Sequence, residues 1–197
     1  MQLLSYVSQQ FANVSAVFDY LAANVPWLTA EGDTLVAGNL TLEKSATSIK
    51  ITDSVNNVYL NTPAINSSNV YFLIAITDSA VIVGQAITGT AATAFIIGKS
   101  TDGTNEHYAA ITRTSGSSSA ETMLTYGDLT ISGRGTRAVL QSSVTSQFVP
   151  IYSETNSYNI ENAFLTFMSN APAYYGKIQL NNANYVQCGG LALQYTE

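Results

Sequence analysis

Charge is scarce in this chain of 197 residues. Only 10% are Asp, Glu, Lys or Arg, against about 25% in an average soluble protein. Seven basic and thirteen acidic residues leave a net charge of −6, and no basic residue precedes Lys44. The stripe of Lys and Arg that tracks phosphates is missing, so nucleic acid is not an expected partner. One cysteine, Cys188, excludes an intrachain disulfide and a zinc site built from cysteines. One histidine, His107, is the only base a Ser-His-Asp triad could use, and no G-x-S-x-G elbow accompanies it. The N-terminal stretch lacks a basic n-region and a continuous apolar run, so it is not expected to be a signal peptide. Residues 79–98, "SAVIVGQAITGTAATAFIIG", run uncharged for long enough to span a bilayer. Their β-branched ends and central Thr and Gly instead predict two strands joined by a turn, with no membrane contact.

What remains is apolar and uncharged polar. Hydrophobic residues make up 46%, enough for a core. Ser, Thr, Asn and Gln fill about a third of the chain, above the usual share. A polar surface with few charges offers little repulsion between copies. It suits a protein packed against itself or against partners; a secreted protein rich in surface Ser and Thr has the same composition.

The start of the chain, "LLSYVSQQFANVSAVFDYLAANVPWL" (3–28), carries one charge, Asp19. Leu4, Phe11, Phe18 and Val25 repeat every seven residues, as do Val7, Val14, Leu21 and Leu28. This spacing predicts one helix over residues 1–25, about 32 Å of it in three heptads, ended by Pro26. The division expected is therefore an N-terminal amphipathic helix (1–28) and a β-rich domain (29–197). Flanking positions such as Ser8, Ser15 and Ala22 are uncharged, unlike the charged flanks of a two-stranded coil. Leu4, Val7, Phe11, Val14, Phe18 and Leu21 are thus the candidate assembly interface, in a trimer or larger ring or docked on another protein. In the competing reading, the same helix covers one face of its own β-domain.

From residue 38 the pattern shifts to period two or to short apolar runs between Gly, Asn and Asp. Strands are predicted at 40–43, 48–52, 58–60, 70–76, 80–84, 94–98, 108–113, 123–126, 129–132, 138–144, 148–152, 177–180, 185–188 and 191–195. Such spacing predicts a mainly β protein, an antiparallel β-sandwich or jelly-roll-like domain behind the N-terminal α-helix. "IENAFLTFMSNAP" (160–172) also fits a helical face through Ile160, Ala163, Phe164, Phe167 and Met168. "ITDS" occurs at 51–54 and 76–79, a strand exit where Asp can bond its own backbone. Cys188 is expected to be buried, since a free cysteine behaves as a small hydrophobe.

Candidate chemistry is thin. Asp102, Asn105 and Glu106 beside His107 do not meet a calcium-loop spacing, and Asp102-Gly103 reads as a hairpin turn. Glu43, Glu106, Glu121, Glu154 and Glu161 could supply a glycosidase pair only if the fold set two of them at the right separation. "SGRGTR" (132–137) lacks the P-loop pattern and places Arg134 and Arg137 in a glycine-rich turn. Sequons at Asn13, Asn39 and Asn66 occur at chance frequency. Tyr152, Tyr158, Tyr174, Tyr175, Tyr185 and Tyr195 crowd the last quarter, where tyrosine suits strands, contacts and sugar sites. No catalytic, metal or cofactor residue is assigned, and no enzymatic activity is expected.

These traits, with the ending "YYGKIQLNNANYVQCGGLALQYTE" (174–197) of short strands and Asn or Gly turns, resemble structural proteins of tailed-bacteriophage virions. Head decoration, head-fibre, neck and tail-associated proteins are the types meant. The resemblance implies a non-enzymatic virion component in repeated copies, a homo-oligomer that also contacts other virion proteins and needs no cofactor. Two other classes stay open: a carbohydrate-binding or adhesin-like module, and a hydrolase with a carboxylate pair. Exposed coplanar aromatics in a groove would mark the first, and two carboxyls facing across a cleft the second.

Overall fold

The computed structural model describes residues 1–53, 58–61, 71–87, 91–101, 106–114, 121–126, 129–133, 138–140, 148–153, 164–167, 175–180, 182–188 and 191–197. Among these the chain is mainly β, in antiparallel sheets, with one short helix near the N-terminus. β1 (Leu3–Gln10) precedes α1 (Val14–Asn24). Five strands follow: β2 (Thr29–Glu31), β3 (Thr34–Ala37), β4 (Leu40–Lys44), β5 (Ile49–Asp53) and β6 (Val58–Asn61). Next come β7 (Tyr71–Thr77), β8 (Ala80–Ile87), β9 (Ala91–Thr101), β10 (Glu106–Thr114), β11 (Glu121–Tyr126) and β12 (Leu129–Gly133). β13 (Ala138–Leu140), β14 (Phe148–Ser153), β15 (Phe164–Phe167), β16 (Tyr175–Leu180), β17 (Ala183–Cys188) and β18 (Leu191–Tyr195) complete it.

Three sheets form. One runs β1-β7-β8-β9-β10-β11-β12, a second β13-β14-β15-β18-β17-β16, and a third β2 to β6 in chain order. The first is the middle layer. Its even- and odd-numbered side chains alternate between two separate cores, as pleating requires. Phe72, Ile74, Ile76, Val81, Val83, Phe95 and Ile97 pack against α1 and the third sheet, where Leu35, Leu40, Leu42, Ile49 and Ile51 are fully buried. Leu73, Ala75, Ala80, Ile82, Ala94 and Ile96 pack against Val186, Cys188, Leu191, Leu193 and Tyr195 of the second sheet. Burial on both faces is why β7, β8 and β9 read as continuous apolar runs rather than as alternation. The uncharged run at 79–98 is therefore the β8–β9 hairpin, paired from Ala80↔Gly98 to Ile87↔Ala91. No helix among the described residues is long and apolar enough to cross a membrane.

The N-terminus departs from the expectation of one helix over residues 1–25. Residues 3–10 are strand β1, paired antiparallel with β7 from Leu3↔Thr77 to Gln10↔Tyr71. The helix starts only after Asn13, whose side chain accepts a hydrogen bond from the Ala16 N–H at 2.9 Å. This N-cap satisfies one of the orphan donors of the first turn. Pro26 ends the helix as expected, with Val25 extended (φ −93°, ψ 107°). Residues 1–28 do not stand apart from the β-domain: β1 belongs to the middle sheet and α1 to its core. Phe164–Phe167 is also strand rather than helix, held between β14 and β18. The rest of 160–172 lies outside the described residues.

Tight turns join the third sheet. Glu31 pairs with Thr34 across Gly32-Asp33, and Ala37 with Leu40 across Gly38-Asn39. Gly32 and Gly38 take φ 61° and 54°, which a glycine at the first central position of such a hairpin supplies without strain. The Asn39 side chain then reaches across to β10. It accepts from the Tyr108 N–H at 2.9 Å and donates to the Tyr108 carbonyl at 3.2 Å.

Candidate functional site

The residues expected to form an assembly seam separate into two groups. Val14, Phe18 and Leu21, with Val17, line the inner stripe of α1 and are 0–4% exposed. Their spacing of three and four is one helical face, and it is buried on this chain's own sheets. Phe11 is buried with them, edge-on to Phe72 and Tyr20 at centroid distances of 5.7 and 5.6 Å. This corrects the reading of the helix as the assembly element: its apolar stripe faces the chain's own core, which needs no second subunit to cover it.

Leu4 and Val7 lie elsewhere, on β1. Among the described residues that strand is an end strand of the middle sheet, hydrogen-bonded to β7. Its beginning is closed by the C-terminal end of the chain. The Leu3 N–H donates to the Thr196 carbonyl at 2.9 Å, and the Thr196 N–H donates to the Met1 carbonyl at 2.7 Å. Beyond Leu3 no strand of the described residues pairs with the outer side. The register shifts between Leu3 and Ser5, a bulge that turns Leu4 outward. Leu4 is 48% exposed, the one large hydrophobic side chain exposed among the described residues. Ser8, Gln9 and Gln10 are also exposed. The inner groups of β1 are anchored: Val7 packs toward the α1 core, and Ser5 Oγ lies 2.9 Å from Tyr20 Oη.

Among the described residues, comparison with the other end strands makes β1 distinct. β2 has three residues and ends in Glu31, β13 three, β6 four and β12 five. β16 has six and carries Lys177. β1 has eight residues and neither charge nor proline. Shortness, lysine and proline are the usual protections of an open edge, and β1 has only its single bulge. Lys177 lies beside it on the neighbouring sheet, 5.2 Å from the Tyr6 ring centre and 5.1 Å from that of Tyr195. Its charge is balanced by Glu197 at 3.8 Å.

Among the described residues the other sequence candidates do not converge. β9 and β10 form a hairpin in which His107 pairs with Ser100, while Asp102 and Asn105 lie outside the described residues, as do Arg134, Arg137, Asn66 and Tyr158. Glu43 pairs with Lys50 at 3.6 Å, both partly exposed. Among the described residues no three His, Cys, Asp or Glu side chains group as metal ligands would. Trp27 and Tyr108 stack on each other at 5.2 Å and 25°, and the Tyr108 ring also covers Gly38. The pair is stacked face to face rather than set side by side as a coplanar platform.

Cys188 is fully buried, as expected. Burial pushes its thiol well above the ordinary range, partly offset by a hydrogen bond from the Gln85 backbone. Tyr175 is raised mainly by burial, then by Cys188 and Tyr6 nearby, while its bond with Ser8 works the other way. No protein-family model, curated protein or solved structure matches this chain.

Sequence reasoning missed β1 as an edge. Two signals were present: Asn13 as an N-cap, which moves the helix start past residue 10, and the β-compatible uncharged stretch before it.

Proposed function

We propose that the chain is a non-enzymatic structural component of a phage virion, of the decoration, head-fibre, neck or tail-associated type, assembling with copies of itself and with neighbouring virion proteins. The observation that carries the self-assembly is the eight-residue, uncharged edge of β1 on a chain with few charges to keep copies apart. The expected trimer or larger ring drew on a helical seam. With that seam in the chain's own core, the contact moves to β1 and the number of copies is left to measurement. Particles of the phage or prophage encoding the chain should carry it in many copies by quantitative mass spectrometry. Particles lacking it would overturn the virion assignment.

A further inference from the structure

We propose that β1 and β16 form a charge-held clasp that opens ahead of the rest of the fold and, on opening, admits solvent to Cys188. Among the described residues β1 ends the middle sheet and β16 ends the second. The two end strands meet through side chains two residues apart on each, which therefore share a face. Tyr6 meets Lys177, whose ammonium lies 5.2 Å from its ring centre, and Ser8 bonds with Tyr175. The same ammonium lies 5.1 Å from the Tyr195 ring centre and 3.8 Å from Glu197. One lysine thus ties β1 to β16 and to the end of β18.

This margin differs in kind from the core beside it. Inside, Leu73, Ile82 and Ile96 bury against Val186, Leu191 and Leu193. At the margin the ties are polar, and the Lys177 and Glu197 side chains are 41% and 75% exposed. Polar, exposed contacts open at lower free energy than a buried apolar core, and salt screens them. Tyr175 makes the clasp a lid. It pairs with Cys188 in the β16–β17 ladder, and its hydroxyl donates to the Gly84 carbonyl at 3.4 Å. Its ring lies against the Gly84 position that the Cys188 thiol fills. Cys188 has no exposed surface with the clasp closed, and lifting Tyr175 uncovers it.

The test is the rate at which a small thiol reagent labels Cys188, the one cysteine of the chain, in the native full chain, read together with hydrogen exchange. Lys177→Gln removes two ring contacts and an ion pair, and should speed labelling by about 5- to 30-fold. Raising sodium chloride from about 0.05 to about 1 M should speed wild-type labelling by about 2- to 5-fold, with little effect on Lys177→Gln. Lys50→Gln breaks a similarly exposed pair, with Glu43 on the third sheet, and should leave the rate unchanged. Amides of β1 and β16 should exchange faster in Lys177→Gln, while those of β8 and α1 keep their rates. A labelling rate indifferent to Lys177→Gln and to salt would overturn the clasp. So would β8 amides that speed up in step with those of β1, since the whole fold would then be opening.

Discussion

Gly84 on β8 lies so close to Cys188 on β17 that a Cβ on the glycine would overlap the Cys188 Cβ and Sγ. The middle and second sheets meet there. Leu73, Gly84 and Ala94 form one cross-strand row, and the missing side chain makes room for the thiol. Tyr175 closes the same spot, its hydroxyl donating to the Gly84 carbonyl at 3.4 Å. A glycine inside a strand weakens it unless another group approaches closely, and here one does.

Gly84→Ala is therefore expected to destabilise the protein by about 1–3 kcal/mol through overpacking, read as a lower denaturation midpoint. Cys188→Gly made in the same chain should recover part of the loss, giving a coupling energy of at least about 0.5 kcal/mol in a double-mutant cycle. Strict additivity would show that the two residues do not press on each other.

Alkaline pH should unfold the protein through the same contact. The native thiol holds its proton to higher pH than the unfolded one, so the native state binds more protons once the unfolded thiol ionises. Stability is then full below about pH 8.5, the unfolded value, and is lost as pH rises above it. Tyr175, also raised, extends the decline beyond about pH 10. Cys188→Ala should flatten the first part of the curve. In the native state, Cys188 should resist a bulky thiol reagent between pH 7 and 9, and rapid labelling would contradict its burial.

Thr77→Val should cost about 1–3 kcal/mol, the penalty for orphaning buried polar groups. The Thr77 hydroxyl accepts from the Ala80 N–H at 2.8 Å and from the Ser79 N–H at 3.3 Å, and it donates to the Ala80 carbonyl at 3.0 Å. It is fully buried and holds the β7–β8 turn. Valine keeps the shape and strands all three. A midpoint unchanged in urea would show the turn to be held by other means.

Asn39→Ala should loosen the third sheet from β10, because both backbone groups of Tyr108 that the amide serves lose their partner. Hydrogen exchange at the Tyr108 amide is the direct readout. It should speed up markedly in the variant, with the α1 amides little changed.

The β-domain was legible where local pattern and final environment agree. The predicted strands at 80–84 and 94–98 fall within β8 and β9, and residues 71–76 of the one predicted at 70–76 lie in β7, because strands buried on both faces need apolar residues at every position. The start of the chain was not. Leu4 and Val7 keep a helical period with Phe11 and Phe18, but β1 is decided by β7, more than sixty residues away in the chain, and strand preference depends on such context. β2 and β3 were passed over for a related reason: they are three and four residues long, and their signal is the glycine-first turns rather than periodicity. The candidate edge was readable only as an uncharged stretch. Its place at the end of the strand order is a property of the whole sheet, which no local pattern carries.

The most direct test of the corrected N-terminus sets Phe18→Asp beside Leu4→Asp. Phe18 is 4% exposed in the core of its own chain, and its burial contributes about 1.5–3 kcal/mol; an unpaired buried carboxylate adds several more, a large part of the about 5–15 kcal/mol that holds a domain together. Leu4 stands exposed on the bulge of β1. Near-UV circular dichroism with light scattering should find Phe18→Asp unfolded or molten and Leu4→Asp folded. A Phe18→Asp protein that is a well-folded monomer, with a wild type that is oligomeric, would return the assembly role to the helix and contradict the intrachain core.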